Sequence, residues 1–306
     1  MRAKFFLGMV LLAASTLAYA DYGAGLAEFR QRNFASAAYE WRKAAEQGEG
    51  RSQFALGQLF ENGTGVRKSL SKAYKWYRLS AGNDVLDAQV KLAELYLSGK
   101  VDGRDAADAV EWLERAAQSG HAGAQFQLGL MYLEGFGVEE DAVVAARWFK
   151  QAADQGHIRA QNNIGSLYEN GRGVEQDFSR AFDYFSQAAR QGDAMAQNNL
   201  GALYARGRGV EANQAWAVFW FATASRNGND MAKTNIQPSL SRLQNKKIAG
   251  ARVNIRSAPG TDNTRLAQLA RGADVYVLGE SEGWSQIYFE EEGEPALGWV
   301  ATRLIY

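Results

Sequence analysis

The chain repeats itself every 36 residues, and this period limits what it can fold into more than any other feature. Gly57 is followed by Ala93, Gly129, Gly165 and Gly201, with no insertion across five copies. An aromatic residue three places later keeps the beat as Phe60, Tyr96, Tyr132, Tyr168 and Tyr204. Ala73, Ala109, Ala145, Ala181 and Ala217 are in phase, as are Trp76, Trp112, Trp148, Tyr184 and Trp220. A closing glycine recurs as Gly120, Gly156, Gly192 and Gly228, with Asp84 in its place in the first copy. A period of this length belongs to a supersecondary unit stacked on copies of itself.

The spacing inside one copy predicts two helices. Ala160, Ile164 and Tyr168 lie four apart on one face of a first helix, and Ala181, Tyr184 and Ala188 do the same on a second. Small residues let the two helices approach, and the aromatics, Trp76, Trp112, Trp148 and Trp220 among them, are expected to fill the space between. A mid-helix glycine costs roughly 1 kcal/mol against alanine. The return of Gly165 as Gly57, Gly129 and Gly201 therefore predicts backbones crossing too tightly for a Cβ. "NGRGV" at 170–174 ends the first helix, with Val174 tucking back between helices. One hairpin cannot bury its own apolar face, so the expected fold is mainly α, a right-handed solenoid of 36-residue hairpins. It spans 21–245: an atypical N-terminal cap at 21–50, full repeats over about 51–228, and a C-terminal cap at 229–245 that Pro238 interrupts.

"MRAKFFLGMVLLAASTLAYA" reads as a secretory signal over 1–20: Arg2 and Lys4, an apolar run, then Ala18-Tyr19-Ala20. The run is shorter than the ~20 residues a span needs, and no later segment is apolar enough, so a transmembrane protein is not expected. A periplasmic or secreted protein is. There is no cysteine, which excludes disulfides, thiolate nucleophiles and cysteine zinc sites. Beyond the signal 32 basic residues face 34 acidic ones. That leaves no basic excess for a phosphate backbone, so no nucleic acid partner is expected.

The repeat resembles the Sel-one-like repeat family, relatives of the tetratricopeptide repeat, over about residues 22–236. "AQNNLGALYARGRGV" at 196–210 carries the family phrase, followed by the in-phase Ala, Trp and Ala-Ala-x-x-Gly positions. "SGKVDG" at 98–103 departs from it, lacking the second glycine and the following valine. The resemblance implies binding of other proteins, often as an adaptor at the cell envelope, and not catalysis.

Near Lys247 helical periodicity gives way to β-branched alternation. Strands are expected over 251–256, 274–278, 284–289 and 298–302, enough for a small barrel over 249–306. Val253-Asn254-Ile255-Arg256-Ser257-Ala258-Pro259, then Gly272 through Val277, then Gly298-Trp299-Val300 resemble the bacterial SH3-type domain. That resemblance implies binding of cell-wall peptides or proteins. The acidic "FEEEGEPALG" looks like an insertion that widens the last hairpin.

Candidate functional residues follow from these two modules. The outer stripe of the first helices reads Phe54-Gln58-Glu61, Val90-Glu94-Leu97, Phe126-Leu130-Leu133, Asn162-Ser166-Glu169 and Asn198-Ala202-Ala205. In the related tetratricopeptide architecture such helices line the concave surface. Val90, Leu97, Phe126, Leu130 and Leu133, flanked by Asn162 and Asn198, form a candidate protein-binding patch. The alternative is that curvature buries them against neighbouring helices. Trp284 and Tyr288 share one face of a strand and are candidate groove residues, while Trp299 is expected in the barrel core. His121 and His157 follow closing glycines and read as turn residues rather than metal ligands. The acidic runs Glu139-Glu140-Asp141 and Glu290-Glu291-Glu292 read as solvated surface. The glycine loops follow helices and lack Lys-Ser/Thr, so they are no phosphate cradle. No cofactor, metal or catalytic constellation is expected. The leading expectation is an exported, non-enzymatic adaptor for an envelope protein. The alternatives are a peptidoglycan-binding regulator of a wall enzyme and, of another class, a hydrolase.

Overall fold

Each 36-residue copy is realised as a pair of antiparallel helices. The computed structural model describes residues 22–101 and 103–306, so the expected signal segment lies outside the described residues. A short pair, α1 (residues 22–30) and α2 (Phe34–Glu46), precedes the first full copy. Then come α3 (Gly50–Asn62), α4 (Leu70–Gly82), α5 (Leu86–Leu97), α6 (Ala106–Gln118) and α7 (Ala122–Glu134). They continue as α8 (Ala142–Asp154), α9 (Ile158–Asn170), α10 (Phe178–Arg190), α11 (Ala194–Arg206), α12 (Gln214–Arg226) and α13 (Asp230–Leu240). The chain divides into two compact units, Met1–Trp148 and Phe149–Tyr306.

Helix ends are set by residues on the same beat. Ser69, Asp105, Asp141, Asp177 and Asn213 open the second helices, each accepting hydrogen bonds from main-chain N–H groups two or three residues on. That satisfies donors a helix start leaves unpaired. Gly63, Gly135, Gly171 and Gly207 close four of the first helices in the left-handed conformation. The loop of the second copy differs, as its sequence implies: α5 ends on Ser98 in right-handed geometry, and Val101 stands where the others have a second glycine. Val101 packs half-buried on the core. Pro238 does not interrupt α13, which runs on to Leu240. In the last turn a missing N–H removes only one helical bond.

The mid-helix glycines have a different cause from the one expected. A Cβ on Gly57 would meet the Tyr77 ring at 2.6 Å, and on Gly165 or Gly201 the ring of Phe185 or Phe221 at 2.8 Å. A ring from the second helix fills the place first, and at Gly201 the main-chain oxygen of Ala217, 3.2 Å from that Cβ, adds to the crowding. Tyr77, Leu113, Phe149, Phe185 and Phe221 are themselves 36 apart, and all are buried. Where the glycine is replaced, by Ala93, the ring is replaced too, by Leu113. The expected fillers one residue earlier, Trp76, Trp112, Trp148 and Trp220, are only half-buried. Helical geometry turns successive side chains by about 100°, so only one of two adjacent aromatics can point inward.

A glutamine staples each hairpin to the one before it. Gln53, Gln89, Gln125, Gln161 and Gln197 are all buried. Each donates from Nε2 to the carbonyl eight residues back, of Ala45, Ala81, Ala117, Ala153 and Ala189. Those carbonyls lie in the last turn of a second helix, where acceptors lack helical partners. Asn83, Gln191 and Asn227 in turn donate to the Oε1 of Gln53, Gln161 and Gln197. Ser119 holds the corresponding position after α6. Gln89 Oε1 is buried and has no hydrogen-bond partner among the described residues.

The C-terminal module is a six-stranded antiparallel sheet, in the order β1-β4-β5-β6-β2-β3. Its strands are β1 (Asn245–Lys247), β2 (Arg252–Arg256), β3 (Arg265–Ala270), β4 (Asp274–Ser281), β5 (Trp284–Glu291) and β6 (Glu294–Ala301). Val253, Ile255, Val275, Ile287, Phe289 and Val300 form its core. The acidic stretch is no insertion. The β5–β6 register runs unbroken to Glu291↔Glu294. Glu292 and Gly293, at φ 54° and 81°, make a two-residue turn matching strand twist.

Candidate protein-binding surface

In the first unit the first helices α3, α5 and α7 carry the apolar stripe. Val90, Leu97, Phe126, Leu130 and Leu133 are all half-buried. Val90 and Leu97 pack their inner sides against the cluster of Leu92, Leu128 and Met131. Val90 also lines an open groove of about 560 Å³. Phe54 and Val90 supply its apolar floor, and Glu61, Asp87 and Glu94 its rim.

The rim charges are ordered. Lys91 Nζ lies 3.3 Å from Glu61 Oε1 and 3.1 Å from Glu94 Oε2. Partial burial pulls the Lys91 ammonium down, but Glu94 and Glu61 outweigh it and hold it above its ordinary value. Tyr77 donates its hydroxyl to Glu61 at 2.7 Å. Burial first, and then Glu61, push that phenol well above its ordinary range. Three carboxylates around one lysine leave the rim acidic.

Both histidines open first helices. His121 Nδ1 accepts from the Ala124 N–H at 3.1 Å, and His157 Nδ1 from Ala160 at 3.2 Å. His121 Nε2 also lies 3.2 Å from Asp87 Oδ1. An imidazole with its proton on Nε2 serves both contacts. Among the described residues no cluster of three or more His, Asp and Glu is placed to hold a metal ion, and no helix is long and apolar enough to cross a membrane.

Asn162 and Asn198 belong to the second unit and are bound within it. Asn162 is 6 % exposed and accepts from Asn199 Nδ2 at 3.1 Å. Asn198 accepts from Asn235 Nδ2 at 2.8 Å. Each pair joins one first helix to the next, so these side chains are spent on the joints. The signal for that lay in the sequence, because bonded partners one repeat and one residue apart recur along the chain.

On the sheet, Trp284, Gln286 and Tyr288 point away from the barrel core, as do Leu297 and Trp299 opposite them on β6. Trp299 is therefore not the core residue expected; Val300 is. Tyr288 lines a recess beside α13 rather than open surface. It is 2 % exposed, packed with Leu297, Tyr276 and Leu278 against Val218, Ala222, Ile236 and Leu240 of α12 and α13. Burial, then Glu290, push its hydroxyl far up. Lys233 of α13 adds an ion pair to Glu294 of β6 at 2.7 Å. Trp284 and Trp299 remain half-buried. The outer face thus serves twice: one half docks on the last helices, and the other carries two indoles.

The Sel1 repeat model matches residues 50–84, 86–121, 122–157, 158–193 and 194–229, and the bacterial SH3 domain model matches 251–306. The chain belongs to the Sel1 repeat family. A protective antigen of uropathogenic Escherichia coli with an SLR fold is 30% identical at a TM-score of 0.68, covering 77% of this chain and 51% of its own. The chain thus spans about half the length of that antigen. A Sel1 repeat protein from Oxalobacter formigenes is also 30% identical, with a TM-score of 0.65, covering 69% of this chain and 86% of its own. No curated protein matches the chain. The chain thus joins Sel1 repeats stacked as a helical solenoid to a bacterial SH3 domain.

Proposed function

We propose that this Sel1 repeat protein is a non-enzymatic adaptor of the cell envelope, periplasmic or secreted after removal of residues 1–20. Its solenoid surface holds an envelope protein, and its barrel holds a second protein or cell-wall peptide. The reading rests on one observation: Val90, Leu97, Phe126, Leu130 and Leu133 stand half-buried on α5 and α7, and Val90 lines an open, acid-rimmed groove. Interface energy concentrates in such apolar anchors ringed by polar groups. The test is envelope crosslinking with mass-spectrometric identification, wild type beside Phe126→Ser/Leu130→Ser. A discrete protein is expected from the wild type and a large loss from the variant. Recovery of nothing above a control chain sinks the proposal.

A second reading, direct peptidoglycan binding, is favoured by Trp284 and Trp299 standing together on the undocked half of the barrel face. The full chain should then sediment with purified sacculi and Trp284→Ala should not. Equal sedimentation of the two removes this reading.

A further inference from the structure

A second recess lies in the second unit, between α11, α12 and α13, with a volume of about 230 Å³. Its walls are apolar: Ala202 and Ala205 of α11, the ring of Phe221, and Pro238. Arg206 at the end of α11 and Arg242 just past α13 stand at it, both exposed, and no carboxylate lines it. Among the described residues neither guanidinium has an ion-pair partner, although Lys91, Arg104, Arg115, Lys150, Arg180, Lys233 and Lys247 do.

Ser239 also lines the recess. It is 2 % exposed, and its hydroxyl has no hydrogen-bond partner among the described residues. A serine hydroxyl at the wall of a recess with no partner inside the protein keeps its donor for a ligand. Two amides complete the lining. Gln214 Nε2 donates to Ala205 O at 3.0 Å and Asn235 Nδ2 to Asn198 at 2.8 Å. One N–H of each amide is used internally, and the two amide oxygens accept no hydrogen bond among the described residues.

The geometry points to a recess that takes an acidic side chain of an extended peptide. Two unpaired guanidiniums and a serine hydroxyl are donors to a carboxylate, and charge-assisted bonds of this kind are the strong ones. The two amide oxygens accept main-chain N–H groups on either side of the acidic residue. A terminal carboxylate would leave one of those acceptors idle, because no residue follows it. The volume suits one side chain with its carboxylate rather than a folded element. This names a partner chemistry within the protein-binding reading and rests on that reading, but it is measured without the partner.

The test is a titration of the full chain with the capped peptide acetyl-Gly-Ala-Glu-Ala-Gly-amide, followed by the side-chain amide NMR signals of Gln214 and Asn235. The comparison probes are the same peptide with Gln for Glu, and acetyl-Gly-Ala-Ala with a free C-terminus. Saturable shifts are expected with the Glu peptide, at least about tenfold weaker binding with the Gln peptide, and weakening by added salt. Arg206→Gln and Arg242→Gln should each cost a similar factor with unchanged melting, and Arg206→Glu/Arg242→Glu should shift preference to a Lys peptide. Equal binding of the Glu and Gln peptides, binding of the free C-terminus alone, or no shift with any peptide overturns the inference. If the Arg206→Gln/Arg242→Gln chain still captures the envelope partner that Phe126→Ser/Leu130→Ser loses, the recess is overturned and the adaptor reading stands.

Discussion

The exchange between residues 165 and 185 is the smallest unit of this architecture. Gly165→Ala should raise helix propensity yet destabilise by about 1–3 kcal/mol, because the added methyl meets the Phe185 ring. Phe185→Leu alone should cost about 1–2 kcal/mol in lost packing. The double variant reproduces the Ala93/Leu113 pair already present in the chain, so the two penalties should be strongly non-additive in a denaturant double-mutant cycle. Additive penalties would show that the ring and glycine are independent. The unmatched Gln89 oxygen gives a second prediction. Ser119→Asn places an amide where Asn83 and Asn227 reach their glutamines, and should stabilise by about 1 kcal/mol in chemical denaturation. These positions were legible in principle: the glutamines and the ring residues sit on the 36-residue beat as regularly as the glycines. They were passed over because glutamine reads as surface and because Trp148, the larger ring, looks like the better filler than Phe149 beside it. A linear pattern gives the phase of a helix only to within a residue, and one residue is 100° of rotation.

At the scale of the element, helix boundaries followed from the sequence wherever glycine or a capping side chain set them. His157 is the test of how much one cap contributes. His157→Ala removes the acceptor for the Ala160 N–H and should cost about 1 kcal/mol, while His157→Asp, matching Asp193 in the next copy, should keep or improve stability. Thermal melts of the two variants decide this; equal losses would mean that the imidazole stabilises by packing instead. The strands were harder to read than the helices. β3 (Arg265–Ala270) and β1 (Asn245–Lys247) were missed, because "RLAQLA" alternates weakly and three residues carry no period. The Glu-rich hairpin looked like an insertion only because charge was mistaken for length.

On the scale of the whole molecule, the fold class was legible and the use of the barrel's outer face was not. Trp284 and Tyr288 do share a face, as strand alternation requires, but nothing in a sequence states that half of that face meets α12 and α13. Tyr288→Ala should therefore act on the last helices as well as on the barrel. Removing a buried aromatic typically costs about 3–5 kcal/mol, and amide exchange should rise in α12 and α13 together with β5. Faster exchange confined to the sheet would show that the barrel folds independently of its support.

The glutamine joint has a consequence for how such a chain can vary. Each junction is made by the same amide reaching the same carbonyl eight residues back. Any copy can therefore follow any other, and a duplication or deletion of 36 residues restores every junction it disturbs. The same event out of phase by even one residue would strand a buried amide at both edges. Length in this molecule is quantised: the solenoid can be lengthened or shortened by recombination in whole cassettes, while the C-terminal end, where Lys233 stands in place of the glutamine, stays fixed.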